Sequence, residues 1–252
     1  MIRVEIDGIP IDNLTLAEAV AEIAGLATER SGGYVCTPNV DHIVRARRDG
    51  AFRNALLGAR LRVPDGMGII YGARIAGKPL RATVTGRLLP ERVGAELTGL
   101  GGSIGLFGGP PGVADLAALA LRTRGVNVAG GFGPSLGFEV GSPEDQVAVE
   151  RLQRLRADAI FVGLGAPKQE LWMAAHSDAF PATVLIGVGA AIDVLSGRRR
   201  AAPMWMTRVG LEWLFRLATE PRRLARRYLW DDPRFFAWMV SERRTSGGKE
   251  RA

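Results

Sequence analysis

The run Gly163-Leu164-Gly165-Ala166-Pro167-Lys168-Gln169-Glu170 sets a permissive turn beside three polar side chains. The apolar residues 159–162 before it read as a strand, and Pro167 reads as the first residue of a helix. Glycine lets a ligand approach the backbone, and a helix N-terminus offers a phosphate free N–H groups and a partial positive charge. Lys168, Gln169 and Glu170 then stand at the mouth of a candidate ligand site. Asp65, ahead of Gly66-Met67-Gly68, has two readings of equal weight. As a general base it accepts a proton from a substrate hydroxyl; as an N-cap it only starts the next helix. Asn39 is a helix cap or, with Thr37, a ligand contact. His42, one turn further, reads as structural, and His176, at a helix end, as a partner of the helix dipole.

Other chemistries lack their residues. There is no Asp-x-Asp, no His-x-x-x-His and no cysteine pair, so the sequence carries no metal signature. Gly-Lys-Ser/Thr is also missing, which argues against a P-loop ATPase. No cofactor is expected. A diphosphate handled without a metal needs arginines and helix N-termini to neutralise it. Arg216, Arg223 and Arg226, spaced by 7 and 3, share one helical face if the helix runs through Pro221.

The elements that must position these residues alternate along the chain. Residues 3–6 and 9–11 form a hairpin about Asp7-Gly8, and an amphipathic helix follows over 15–29. Strands are expected at 34–37, 61–64, 104–107, 126–129, 159–162 and 183–186. Helices are expected after Asn39, at 67–75, 88–97, after Pro111 as far as Arg122, at 143–155 and at 167–175. The pattern is that of an α/β fold, a mostly parallel Rossmann-like sheet with helices on both faces. Thr37, Asp65, Gly108, Gly163 and Gly187 all fall at strand ends, where such sheets bind ligands.

The chain of 252 residues has a formal charge of +7, and the excess is local. From Arg198 to Ala252 there are 14 Lys+Arg against 6 Asp+Glu, while residues 1–197 carry 19 against 20. Four of the five tryptophans lie in the same basic stretch. The division is therefore a 1–197 α/β domain, a 198–244 Arg- and aromatic-rich helical appendage with helices at 204–218 and 220–230, and a disordered end over 245–252. Such a segment suits an anionic membrane surface or a docking face on the main domain, with Trp230, Phe235 and Trp238 exposed to lipid or a sister subunit in a homo-oligomer. No apolar run reaches the roughly 18 residues of a transmembrane helix, and residues 1–7 do not read as a signal peptide. Cys36, the one cysteine, reads as a core residue in a reducing, cytoplasmic setting.

Taken in order, several segments resemble the WecG/TagA/CpsF family of bacterial cell-surface glycosyltransferases. They are Thr37-Pro38-Asn39, Pro64 to Gly68, Val84-Thr85-Gly86, Leu106 to Gly109, Gly163 to Glu170, Gly187 to Gly189 with Asp193, and Gly210 to Arg216 with Glu220-Pro221-Arg222. The resemblance implies inverting transfer of a sugar from a UDP-sugar to a polyprenyl-diphosphate-linked sugar at the cytoplasmic face of the membrane, with the chain peripheral there. In the family the donor is UDP-N-acetylmannosamine, its uronic acid or UDP-glucose. It implies Asp65 as the base, with Thr37, Asn39 and Gln169 in the active site. It places the nucleotide sugar on Phe107, Gly108, Gly109, Gly163, Leu164, Gly165, Pro167, Lys168, Gly187 and Gly189. Arg216, Arg223 and Arg226, with Arg222 and Arg227 as near alternatives, would meet the acceptor diphosphate.

Three positions depart from the family pattern. Thr83 and Ala201 stand where arginines are usual, and Leu88 lies where an aspartate is usual. Arg81 or Arg87 could restore the first missing cation. These changes leave the donor sugar unassigned and admit a catalytically silent, sugar-nucleotide-binding relative as an alternative. A nicotinamide oxidoreductase would need a third glycine after Gly163-x-Gly165, which is absent. A nucleic-acid-binding module would leave the cleft motifs without a purpose.

Overall fold

Asp7 and Gly8 both have positive φ, the turn that Asp-Gly favours, and they close an antiparallel hairpin of β1 (Arg3–Ile6) and β2 (Ile9–Asp12). Thr15 then caps α1 (Leu16–Thr28), its hydroxyl accepting from the Glu18 N–H while the Glu18 carboxylate accepts from the Thr15 N–H. The structure is a computed structural model. It describes residues 2–203, 206, 211–219, 221–222 and 232–249, without the side chains of Glu212, Arg216 and 245–249.

Beyond α1, strands and helices alternate as expected: β3 (Tyr34–Cys36), α2 (Val40–Ala46), α3 (Gly50–Gly58), β4 (Leu61–Arg62), α4 (Met67–Ile75), α5 (Leu89–Gly99) and β5 (Ile104–Gly108). Next come α6 (Val113–Arg122), β6 (Val128–Phe132), α7 (Pro143–Arg154), β7 (Ala159–Gly163), α8 (Lys168–His176), β8 (Val184–Gly187) and α9 (Ala191–Leu195). Among the described residues, β3 to β8 form one parallel sheet in the order β4-β3-β8-β7-β5-β6. Side chains alternate across it. Ile160 and Val162 point into one apolar core with Trp172, Phe107 and Ile43, and Ala159 and Phe161 into a second with Ile23, Val93 and Leu121. A parallel sheet covered on both faces explains strands that are apolar throughout.

Some bounds differ from expectation. The segment after Asn39 breaks into two helices because Asp49 caps a new one, accepting from the Phe52 N–H at 3.0 Å. Strand β6 runs through Gly130 and Gly131, beyond its apolar signal. A Cβ on Gly131 would stand 2.9 Å from the Ala114 Cβ, so glycine there lets α6 lie against the strand. Helix α8 begins at Lys168, with Pro167 as its N-cap and not its first residue. His176 pairs with the buried Asp145 at 2.8 Å, which also accepts from the Trp172 indole. His176 stands in the last turn of α8, as expected from the helix dipole, and has this carboxylate as a further partner. Cys36 is buried in the core, and burial, then the negative charge of Glu170, pushes its thiol well above the usual range.

In the C-terminal segment the described helices are Glu212–Thr219 and Asp232–Lys249. Trp205, Trp230, Arg223, Arg226 and Arg227 lie outside the described residues, as does the side chain of Arg216. The last helix docks on α4 and α2. Phe235 and Met239 are fully buried, Phe235 filling a notch at Gly72 where a Cβ would come within 2.2 Å of its ring. Arg47 stacks 3.8 Å over the Trp238 ring and Lys78 pairs with Glu242 at 2.6 Å. Phe235 is therefore a core residue and not an exposed one, and Trp238 is half-buried. The helix continues to Lys249, into the stretch expected to lack structure, because extending a docked helix costs far less than starting one. No helix among the described residues is long and apolar enough to cross a membrane.

Candidate active site

The carboxyl ends of β4, β3, β8 and β7 lie side by side, and their loops enclose a cleft of about 310 Å³. Thr37, Asn39 and His42 enter it from the β3–α2 connection, and Asp65 from the end of β4. Gly163, Leu164, Gly165 and Gln169 come from the β7–α8 turn, and Gly189 from the loop after β8. The outward steps from β3 to β4 and from β5 to β6 run in opposite directions across the sheet, the arrangement that opens a crevice above strand ends.

Asp65 is not the helix cap. Gly66 holds that position with φ of +84° and makes no side-chain cap, while the half-buried Asp65 carboxylate lines the cleft. The Asp65 N–H donates to the Pro38 carbonyl at 2.9 Å, which ties β4's end to the Thr37–Asn39 turn. Thr37 donates its hydroxyl to the Gly187 carbonyl at 3.0 Å, so toward the cleft its oxygen can only accept. Asn39 both caps α2 and accepts from His42 Nδ1 at 2.9 Å. Gln169, nearly buried, accepts from the Gly189 N–H at 3.0 Å and donates to Glu170 at 2.7 Å. Thr37, Asn39, Asp65 and Gln169, far apart in sequence, thus share one cavity.

The glycines divide into two kinds. A Cβ on Gly108 would lie 2.5 Å from the Gly163 carbonyl oxygen, one on Gly163 2.9 Å from the Gly189 carbonyl oxygen, and one on Gly187 2.9 Å from Gln169 Nε2. The first two let neighbouring backbones touch, and Gly187 makes room for the Gln169 side chain. Gly165 and Gly189 have positive φ and nothing within 4 Å of the missing side chain, so they leave room for a ligand. Neither Gly108 nor Gly109 lines the cleft, and a Cβ on Gly109 would strike Val113. Phe107 is fully buried, its ring 4.7 Å from that of Trp172. Pro167 and Lys168 stand outside the lining, and Lys168 Nζ donates to the Phe138 carbonyl.

Sequence reasoning gave no site role to several lining residues, Thr85 and Asp193 entering it only as parts of matching segments. Thr85, Asp41, Asp193 and Arg199 all face the cleft, and His42, read as structural, joins them. Arg199 arrives because the chain turns at Gly197 (φ +78°) and folds back, its N–H bonding the Asp193 carbonyl at 3.0 Å. The Ser196-Gly197 pair after an apolar helix is the signal for that return. Of the two arginines near Thr83, Arg87 lines the cleft. Arg81 does not, being exposed and paired with Glu18 at 3.0 Å. Among the described residues no three His, Cys, Asp or Glu side chains gather as a metal-holding group.

A family model described as "Glycosyl transferase WecG/TagA/CpsF family" matches residues 4–249. The chain belongs to this family. The glycosyltransferase is also similar to the N-acetylglucosaminyldiphosphoundecaprenol N-acetyl-beta-D-mannosaminyltransferase of Staphylococcus aureus strain NCTC 8325 / PS 47, 28% identical over 226 residues. That alignment covers 89% of this chain and 87% of the relative. The enzyme of the same name in strain MRSA252 is 27% identical over the same shares. The match spans both the cleft of the glycosyltransferase and its docked C-terminal helix.

Proposed function

We propose that the chain transfers a hexose-type sugar from a UDP-sugar to a sugar carried on a polyprenyl diphosphate, with inversion at the anomeric carbon. The observation that carries this reading is the convergence of Asp65, Thr37, Asn39 and Gln169 on one cleft with Arg87 and Arg199. The names of the Staphylococcus relatives support the lipid-diphosphate acceptor.

In the step proposed, the acceptor hydroxyl oxygen attacks the anomeric carbon as its proton passes to the Asp65 carboxylate. The bond from that carbon to the UDP oxygen breaks, and UDP leaves with the electron pair. One attack from the face opposite the leaving group inverts the centre, so a single carboxylate base suffices. The charge that develops on UDP meets the Arg87 and Arg199 guanidinium groups and the N-terminus of α8. These supply positive charge without a metal. Gln169 and Asn39 bind sugar oxygens through their carboxamides, and Gly165 and Gly189 let the diphosphate lie close to the backbone.

The acceptor diphosphate is assigned to the basic C-terminal segment, through Arg216, Arg223 and Arg226, with that segment at the membrane surface. The net charge of that segment supports this assignment. The site then works at the cytoplasmic face of the membrane, where UDP-sugars are available.

A panel of UDP-sugars, UDP and GDP-mannose, all at one common concentration of about 100 times the dissociation constant of UDP, tests the donor class. Native-state binding at that level adds about 2.7 kcal/mol of stability and raises the melting temperature. UDP and at least one UDP-hexose are expected to shift it. Equal shifts with GDP-mannose, or none with any uridine nucleotide, would overturn the reading.

A further inference from the structure

From the cleft lining a chain of polar groups runs inward to one that has no exposure at all. Glu170 is fully buried, and its Oε1 accepts from Gln169 Nε2 at 2.7 Å and meets His42 Nε2 at 3.1 Å. His42, nearly buried, reaches Asn39 Oδ1 through Nδ1 at 2.9 Å. The far oxygen of Gln169 accepts from the Gly189 N–H at 3.0 Å. Glu170 Oε2 is buried without a hydrogen-bond partner. A buried carboxylate is costly, and one with an unsatisfied oxygen more so. No packing need explains it, since an apolar side chain would fill the same space beside Cys36.

The chemistry of the contacts says what the group does. A carboxamide has an acceptor end and a donor end of nearly equal shape, and a turn about its last bond exchanges them. With Nδ1–H given to Asn39, the short His42–Glu170 contact needs a proton between Nε2 and Oε1, since two lone pairs would repel. The backbone N–H of His42, donating to Asn39 Oδ1 at 3.4 Å, and that of Gly189, donating to Gln169 Oε1, favour the same arrangement, to which the pair adds a second contact at each amide: the Asn39 oxygen toward His42 and the Gln169 nitrogen toward Glu170. We propose that the Glu170–His42 pair is the positioning device of the active site: it sets the amide orientation of Gln169 and Asn39 together, and so decides which end each offers to the sugar. The inference rests on the transfer reading given above for the meaning of that orientation, but not for the orientation itself.

Two arms test it. In the kinetic arm, Glu170→Leu is expected to lower kcat about 10–100-fold, the scale of a misplaced contact. Glu170→Gln, whose carbonyl can still accept from Gln169, is expected to recover most of that loss. Gln169→Ala, costing about 10-fold or more alone, is expected to cost less than about 3-fold in the Glu170→Leu background, because residues acting as one unit are not additive. Thr37→Ser, outside the chain of bonds, is expected to multiply fully with Glu170→Leu. If Glu170→Leu fails to fold, the same comparison runs with His42→Phe and Asn39→Ala. Full multiplication at Gln169 or Asn39 would overturn the proposal.

In the second arm, the side-chain amide resonances of Gln169 and Asn39, assigned by their loss in the alanine variants, are followed in nitrogen-labelled protein. Dispersed signals in the wild type are expected to move to the positions of a free carboxamide, Gln169 in Glu170→Gln and Glu170→Leu to differing degrees, Asn39 in His42→Phe. Unchanged signals would refute the positioning role whatever reaction the cleft performs. Absence of any sugar transfer by the wild type, with these shifts present, would refute the transfer reading alone.

Discussion

Asp65→Asn is expected to lower the transfer rate by about 10²–10⁴-fold, the range associated with removing a general base, while UDP-sugar binding persists. The substitution keeps size and hydrogen bonding but removes the ability to take a proton. It leaves the N-cap of helix α4 in place, because that residue is Gly66. The Asp65 N–H to Pro38 bond involves backbone alone and survives. A drop in kcat at nearly constant donor affinity and melting temperature is therefore the expected signature. Transfer by Asp65→Asn at the wild-type rate would remove Asp65 from the mechanism.

Gly108→Ala is expected to cost about 2–5 kcal/mol of stability, which in a domain of this size lowers the melting temperature by roughly 5–15 °C. Two effects act together. The residue has φ of +145°, which L side chains rarely adopt, and the new methyl would meet the Gly163 carbonyl oxygen at 2.5 Å. Strands β5 and β7 pair at these two residues, so the strain falls directly on the end of β7. If Gly108 instead touched the nucleotide, the variant would lose UDP affinity and keep its stability. A scan with and without UDP separates the two. Gly165→Ala gives the contrast, because its surroundings are open and only its φ of +78° opposes a side chain.

That pair shows how far the sequence could be read. Glycines after strands mark where loops cluster, and the cleft does sit at those loops. The letter is the same, however, whether the missing side chain makes room for a neighbouring strand, as at Gly108, or for a ligand, as at Gly165. Only the distance across the sheet tells them apart. Asp65 posed the same difficulty, since a cap and a base call for the same residue type; the N-cap position of Gly66 removes the first reading and leaves Asp65 in the cleft lining. The helix at Met67–Ile75 was legible to the residue because a glycine opens it and apolar spacing runs through it. Helix α3 was not, having glycine at both ends.

Arg199 and His42 were hidden for a different reason. Arg199 sits in a run of three arginines that reads as a solvated break, and it reaches the cleft only because the backbone turns back over α9. His42 looked structural because a lone histidine on a helix usually is. It is indeed buried, yet one ring nitrogen meets Asn39 and the other Glu170, which lies 128 residues further along the chain, a link that spacing cannot reveal. The basic segment gave its charge away in composition, but the burial of Phe235 and the stacking of Arg47 on Trp238 depend on where its last helix docks.

The account depends on a sugar diphosphate lying in this cleft with Asp65 opposite the leaving group. A crystal structure with an unhydrolysed UDP-hexose measures this directly. The diphosphate is expected beside Arg87 and Arg199, with the anomeric carbon within about 6 Å of the Asp65 carboxylate, a gap that admits one attacking hydroxyl. A nucleotide sugar bound elsewhere, or one whose diphosphate lies on the Asp65 side of the anomeric carbon, would contradict it.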